Sequence, residues 1–228
     1  MDEGIEGVLA LLAEAAERYA PACLASSLGA EDMLLLDLIE RGGLAIGVFT
    51  LDTGRLPEET HALLQRVRQR YRTPIQIFAP ESAAVETYVE AHGPNGFYDS
   101  VELRQKCCDL RKVRPLARAL IGKRSWITGQ RRAQSPTRRD LPVREWDAGH
   151  GLQKFNPLAL WSDEAVWDYL RRHEVPVSAL HAQGYPSIGC APCTRAVAPG
   201  EDIRAGRWWW ENPEYRECGL HPRQGVHG

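Results

Sequence analysis

The chain has 228 residues, 43% of them hydrophobic and 25% charged, with a formal net charge of −2. That length supports one sizeable core, or one domain with a distinct terminal region, and the composition is that of a globular chain. The near-neutral charge weighs against a generic nucleic-acid binder, and no apolar run approaches the ~20 residues of a membrane span.

The opening MDEGIEGVLALLAEAAERY is acidic and then amphipathic. It lacks the basic start and cleavage site of a signal peptide, so a cytoplasmic location is expected. A helix over about Ile5–Tyr19 leads to a strand at Ala22–Ser27, a helix near Glu31–Arg41 and a strand at Ala45–Leu51. A proline-started helix at Pro57–Tyr71 and a strand at Pro74–Ala79 follow. Helices near Ser82–His92 and Leu110–Ile121 then precede a strand at Ser125–Thr128. This alternation predicts an α/β fold with a doubly wound, mostly parallel sheet and helices on both faces. Ligands in such sheets bind at the carboxyl ends of the strands. After about Asn156 the pattern changes to one helix, Ser162–Glu174, and then glycines, prolines, a CxxC and three tryptophans. The expected division is a nucleotide-binding α/β domain over 1–156 and a C-terminal lobe with a mobile tail over 157–228, forming one integrated unit.

Three polar loops fall at predicted strand ends. In SSLGAED, Ser26, Ser27 and Gly29 offer hydroxyls and backbone N–H groups to an anion at a helix N-terminus. The same residues also make an ordinary capped strand–helix turn. Glu31 and Asp32 would repel a polyphosphate. In LDTG, Asp52 either caps its own loop or holds a polar ligand edge. In the third loop Arg131, Arg132, Arg138 and Arg139 bring guanidinium forks suited to phosphate and sulfate oxygens, or simply form a solvated basic loop.

Six cysteines are present: Cys23, Cys107, Cys108, Cys190, Cys193 and Cys218. Cys23 lies in an apolar run and reads as a buried small hydrophobe. Cys107 and Cys108 are neighbours, with Cα atoms about 3.8 Å apart, so a disulfide between them would be strained. With the CxxC at Cys190 and Cys193 they supply four thiols in two pairs. Such a set suits an iron–sulfur cluster, zinc, or no ligand at all. If a helix starts at Cys108, Lys112 shares its face. The terminal ECGLH sets Cys218 three residues before His221. A cationic neighbour lowers a thiol pKa and favours the reactive thiolate, while the plain alternative is an exposed spare cysteine. Arg204 and Arg207 are three apart and would share a helix face.

Taken together, GAED, LDTG, CC, the QSPTR arginine loop, CxxC and ECGLH resemble the assimilatory adenylyl-sulfate (APS) reductases. The resemblance runs over roughly residues 22–221. It implies an adenine nucleotide α-hydrolase-like fold and a 4Fe–4S cluster on Cys107, Cys108, Cys190 and Cys193. It implies Cys218 as nucleophile, with Lys112, Arg204, Arg207 and His221 around the phosphosulfate. It also implies thioredoxin or glutaredoxin as reductant, with sulfite and AMP as products in sulfate assimilation and cysteine biosynthesis. Members specific for 3′-phosphoadenylyl sulfate (PAPS) usually lack the four paired cysteines, so the cysteines favour APS over PAPS; use of both nucleotides is the runner-up. A tRNA-thiolating relative would carry an SGGxDS loop, where this chain has SLGAED. An iron–sulfur redox sensor would not need Cys218. Neither a nucleic-acid nor a membrane partner is expected, and the oligomeric state stays open.

Overall fold

The structure, a computed structural model, describes residues 2–135, 138–212 and 220. Six strands form one sheet in the order β3-β2-β1-β4-β6-β5. They are β1 (Ala22–Ala25), β2 (Ile46–Leu51), β3 (Ile75–Phe78), β4 (Ser125–Ile127), β5 (Arg144–Asp147) and β6 (Leu152–Phe155). Every pairing is parallel except that of β5 with β6.

Side chains alternate across a strand, and here the alternation sorts residues onto two helical layers. Ala22, Leu24, Ile46, Val48, Ile127 and Phe155 pack on one face with α1 (Asp2–Arg18), α2 (Ala30–Gly42), α3 (Glu58–Arg70) and α7 (Asp163–Arg172). Cys23, Phe49, Trp126 and Leu152 point to the other face, against Leu116, Ala119 and Leu120 of α6 (Arg114–Leu120). Burial holds the Cys23 thiol up at about 12, so it stays neutral as expected of a core thiol.

Local chemistry sets the helix ends. Ser162 caps α7 by accepting the Ala165 N–H at 3.1 Å, and Asp163 and Glu164 follow in its first turn. Gly43 closes α2 with a left-handed φ of 57°, which a glycine adopts without strain. Buried Asp37 on α2 accepts from Tyr71 at 2.9 Å and Tyr169 at 2.7 Å, which ties α7 to α2.

Two features differ from the sequence expectation. In place of a helix starting at Leu110, α5 (Val101–Cys108) runs through one π-helical turn, Asp109–Val113, into α6. Pro115 near the start of α6 has no N–H to return to the preceding turn, and the wider turn ahead of it absorbs that break. The β5–β6 hairpin is also additional, because its short strands carry charges such as Arg144, Glu145 and Lys154 that hide their strand character.

Candidate active site

The carboxyl ends of β1, β2 and β4 surround a cavity of about 680 Å³, where the strand order turns back at β1. Ser26, Ser27 and Gly29 line it at the N-terminus of α2. Leu28 adopts φ 62°, and the Ser26 hydroxyl accepts its N–H at 3.1 Å. Ser27 donates both its N–H, at 2.6 Å, and its hydroxyl, at 2.7 Å, to Asp32. The loop therefore satisfies part of its own donor set and presents the open first turn of α2 to the cavity. Burial raises the Asp32 pKa to about 6, with the Ser27 hydrogen bonds opposing and the Glu31 charge adding. Gly129 allows β4's loop to lie against this turn, since a Cβ there would stand 2.4 Å from Asp32 Oδ1.

The arginines divide. Arg131 lines the cavity but is almost wholly buried, with Glu31 at 2.7 Å and Asp163 both on its guanidinium. Its charge is answered within the protein. Arg138 lines the cavity with Gln134 as a partner. Arg204 and Arg207 line it from the segment that follows the CxxC. Arg207 is buried and donates to the Ile188 carbonyl at 3.2 Å. Asp52 is not in the cavity wall; its carboxylate accepts the Gly54 N–H at 2.9 Å and faces His61 at 3.2 Å.

Cys107, Cys108, Cys190 and Cys193 are all buried and meet in one compact group with Tyr88, Phe97, Leu110 and Trp208. None is in a disulfide. Burial raises the Cys107 thiol, against the pull of Arg111. Burial and the neighbouring Cys190 charge raise Cys193 to about 12. Cys190 goes the other way. Burial opposes its charge, but Lys112, a hydrogen bond from Thr53 and then Arg207 and Arg111 hold it below the ordinary thiol value. Thr53 Oγ1 lies 3.2 Å from the Cys190 sulfur. Four soft sulfur donors ringed by Arg111, Lys112 and Arg207 suit a bound group with net negative charge. Among the described residues no three His, Cys, Asp or Glu side chains converge as around a single ion.

Lys112 and Arg207 belong to both places. Each lines the cavity, and each acts electrostatically on Cys190 and Cys193. Further residues that no sequence motif marks line the cavity. The His181 Nδ1–H donates to the Tyr185 carbonyl at 2.9 Å, which leaves Nε2 as a buried acceptor. Burial keeps this ring neutral by lowering its pKa. His181 Nε2, Gln130 Oε1 and Thr60 Oγ1 have no partner among the described residues, and all three residues line the cavity. Buried polar atoms left so are the mark of a site that a polar ligand completes. Nothing local in the sequence signals them, since single polar residues between apolar neighbours carry no motif.

Cys218 and His221 lie outside the described residues. Leu220, between them in the chain, lines the cavity and packs against the hydrophobic group of Phe49, Leu116 and Trp126.

Residues 21–196 match the phosphoadenosine phosphosulfate reductase domain family. The chain is 56% identical over 214 residues to adenosine 5′-phosphosulfate reductase of Allochromatium vinosum, covering 94% of this chain and 84% of that one. It is 55% identical to the protein of the same name from Burkholderia cepacia, covering 95% and 87%. Among solved structures, a phosphoadenylyl-sulfate reductase from Candida auris in a phosphate complex superposes with a TM-score of 0.72 at 26% identity, over 83% of this chain and 90% of that one. A Candida glabrata FMN adenylyltransferase, with a TM-score of 0.56 at 14% identity over 96% and 77%, shares the fold.

Proposed function

The chain belongs to the phosphoadenosine phosphosulfate reductase domain family, and on that basis we propose that it reduces adenosine 5′-phosphosulfate to sulfite and AMP in sulfate assimilation, with Cys218 as the nucleophile. One observation carries this reading: Lys112 and Arg207 face both the nucleotide-sized cavity and the four buried cysteines. A substrate anion and an anionic cluster would share those cations.

Cys107, Cys108, Cys190 and Cys193 would hold a 4Fe–4S cluster. When bound, it supplies a fixed negative charge and a covalent tie between α5 and the CxxC loop, which orients Lys112 and Arg207. The chemistry belongs to the chain's own thiol. The Cys218 thiolate attacks the electrophilic sulfur of APS. A sulfur–sulfur bond forms, the sulfur–oxygen bond to the phosphate breaks, and AMP leaves with the electron pair. Lys112, Arg204 and Arg207 balance charge on the phosphosulfate, and Arg138 and the first turn of α2 hold the nucleotide. His221, three residues beyond Cys218, stabilises the thiolate. Leu220 supports this role for the tail, because two peptide links span at most about 7 Å and tie Cys218 to a residue already in the cavity wall. A thiol of thioredoxin or glutaredoxin then attacks Cys218 Sγ, sulfite departs, and the reductant's second thiol resolves the mixed disulfide. Both electrons come from that dithiol. A reducing cytoplasm fits a cycle that needs free thiolates. No described helix is long and apolar enough to cross a membrane.

The close relatives carry the APS name, and Glu31 and Asp32 at the α2 terminus disfavour an extra phosphate there. The test is turnover with APS and with PAPS, thioredoxin and its reductase supplied. A kcat/KM at least about tenfold higher for APS is expected; equal values would make the enzyme dual, and no sulfite from either would reject the reading.

A further inference from the structure

Arg104 is completely buried, and its partner Glu211 is 7% exposed. The guanidinium forks onto the Glu211 carboxylate, Nε donating to Oε1 at 2.9 Å and Nη2 to Oε2 at 2.8 Å. Arg104 stands on α5, one turn before Cys108 and in hydrogen-bonding contact with it. Glu211 stands at the far end of the lobe segment that carries Arg204 and Arg207, and its N–H donates to the Trp208 carbonyl at 2.9 Å. The buried Trp208 packs against both Arg104 and Arg207, with Arg104 Cζ 4.9 Å and Arg207 Cζ 4.7 Å from its ring. Trp208 is held at φ 44°, a left-handed conformation that a bulky residue does not adopt unforced. Its N–H donates to the Cys193 carbonyl at 3.2 Å.

A buried ion pair is a poor device for stability, because two desolvated charges gain little over a packed apolar pair. What a bidentate fork supplies is geometry: it fixes both the distance and the angle between the two backbones that carry it. We infer that Arg104 and Glu211 are positioning residues, a clasp between the cysteine helix and the lobe that forces the turn at Trp208 and so aims Arg207 into the cavity. The inference rests on the proposed reading of Arg207 as a ligand for the sulfate end of APS.

The test uses the full chain in a Cys218→Ser background, so that APS is bound but not cleaved. Arg104→Met/Glu211→Leu replaces the clasp by apolar side chains of similar reach. The expected result is an unchanged iron content and a Tm no lower than the parent's. APS should bind about tenfold or more weakly, as for loss of a charge-assisted contact, with AMP affinity changed less than about twofold. Arg104→Lys keeps the charge but not the fork, and it should show the same split if the double variant fails to fold. Wild-type APS affinity in either folded variant, or an equal loss for AMP, overturns the clasp. Failure of the Cys218→Ser parent itself to bind APS would instead sink the reductase reading, so the two failures are separable.

Discussion

Gly189 and Arg207 pack so closely that a Cβ on residue 189 would stand 2.3 Å from Arg207 Nη2. The absence of a side chain there lets the guanidinium lie across the backbone between Ile188 and the CxxC. Gly189→Ala should therefore displace Arg207 without touching a cysteine. The expected outcome is a KM for APS raised about ten- to a hundredfold, the loss of roughly one charge-assisted hydrogen bond of about 1.5–3 kcal/mol. Steady-state kinetics checks it, and an unchanged KM would remove Arg207 from the substrate.

Lys112→Ala removes a cation that lies between cavity and cysteines. Turnover should fall by about a hundredfold or more, while iron and sulfide content stay at the parent level. Rates equal to wild type would leave Lys112 a solvating residue for the thiolates alone.

Without any reductant, the wild-type chain mixed with APS should release one AMP per chain and carry sulfonate on Cys218. Cys218→Ser should release none. Mass spectrometry of the tail peptide and quantification of AMP test this together; AMP release from the serine variant would place the nucleophile elsewhere.

The purified protein is expected to be brown, with thiolate-to-iron absorption in the visible. Replacing either Cys107 or Cys193 by serine should abolish the colour and lower Tm, since both lie in the buried group that joins α5 to the CxxC loop. Stoichiometric zinc in place of iron would correct the cofactor.

Asp32 makes a pH prediction. Its folded pKa is raised to about 6, above an unfolded value near 3.9. Between those values the folded state binds the extra proton, so this group's contribution to stability falls as pH rises through about 6. Asp32→Asn should thus be more stable than wild type at pH 7.5, by at most about 3 kcal/mol, and the gap should close toward pH 4.5. Denaturant unfolding across that range gives the answer; parallel curves would mean that Asp32 is ionised without penalty.

Much of the sheet was legible because its central strands are largely buried on both faces. Runs such as Ala22–Ala25 and Ile46–Leu51 are apolar and short, and turn residues bound them. The β5–β6 hairpin was not legible, because an edge strand with charges on it looks like a loop. The π turn escaped for a different reason. It leaves residue spacing intact and alters only which carbonyl each N–H meets, so Cys108 and Lys112 read as one helix face although the backbone between them is wider.

The resemblance to the APS reductases supplied the roles; residue types and spacing by themselves determined the candidates: four thiols in two pairs, a fifth near the end, and arginines in loops beside the strand ends. Those follow from what thiolates and guanidinium groups do. The tertiary structure decided which of these groups meet. It turned Arg131 inward onto Glu31 and Asp163, left Asp52 outside the cavity wall, and set Lys112 and Arg207 between cavity and cysteines. It also joined Arg104 to Glu211. Contacts between residues a hundred positions apart depend on how the layers stack, and no local pattern in a chain encodes that.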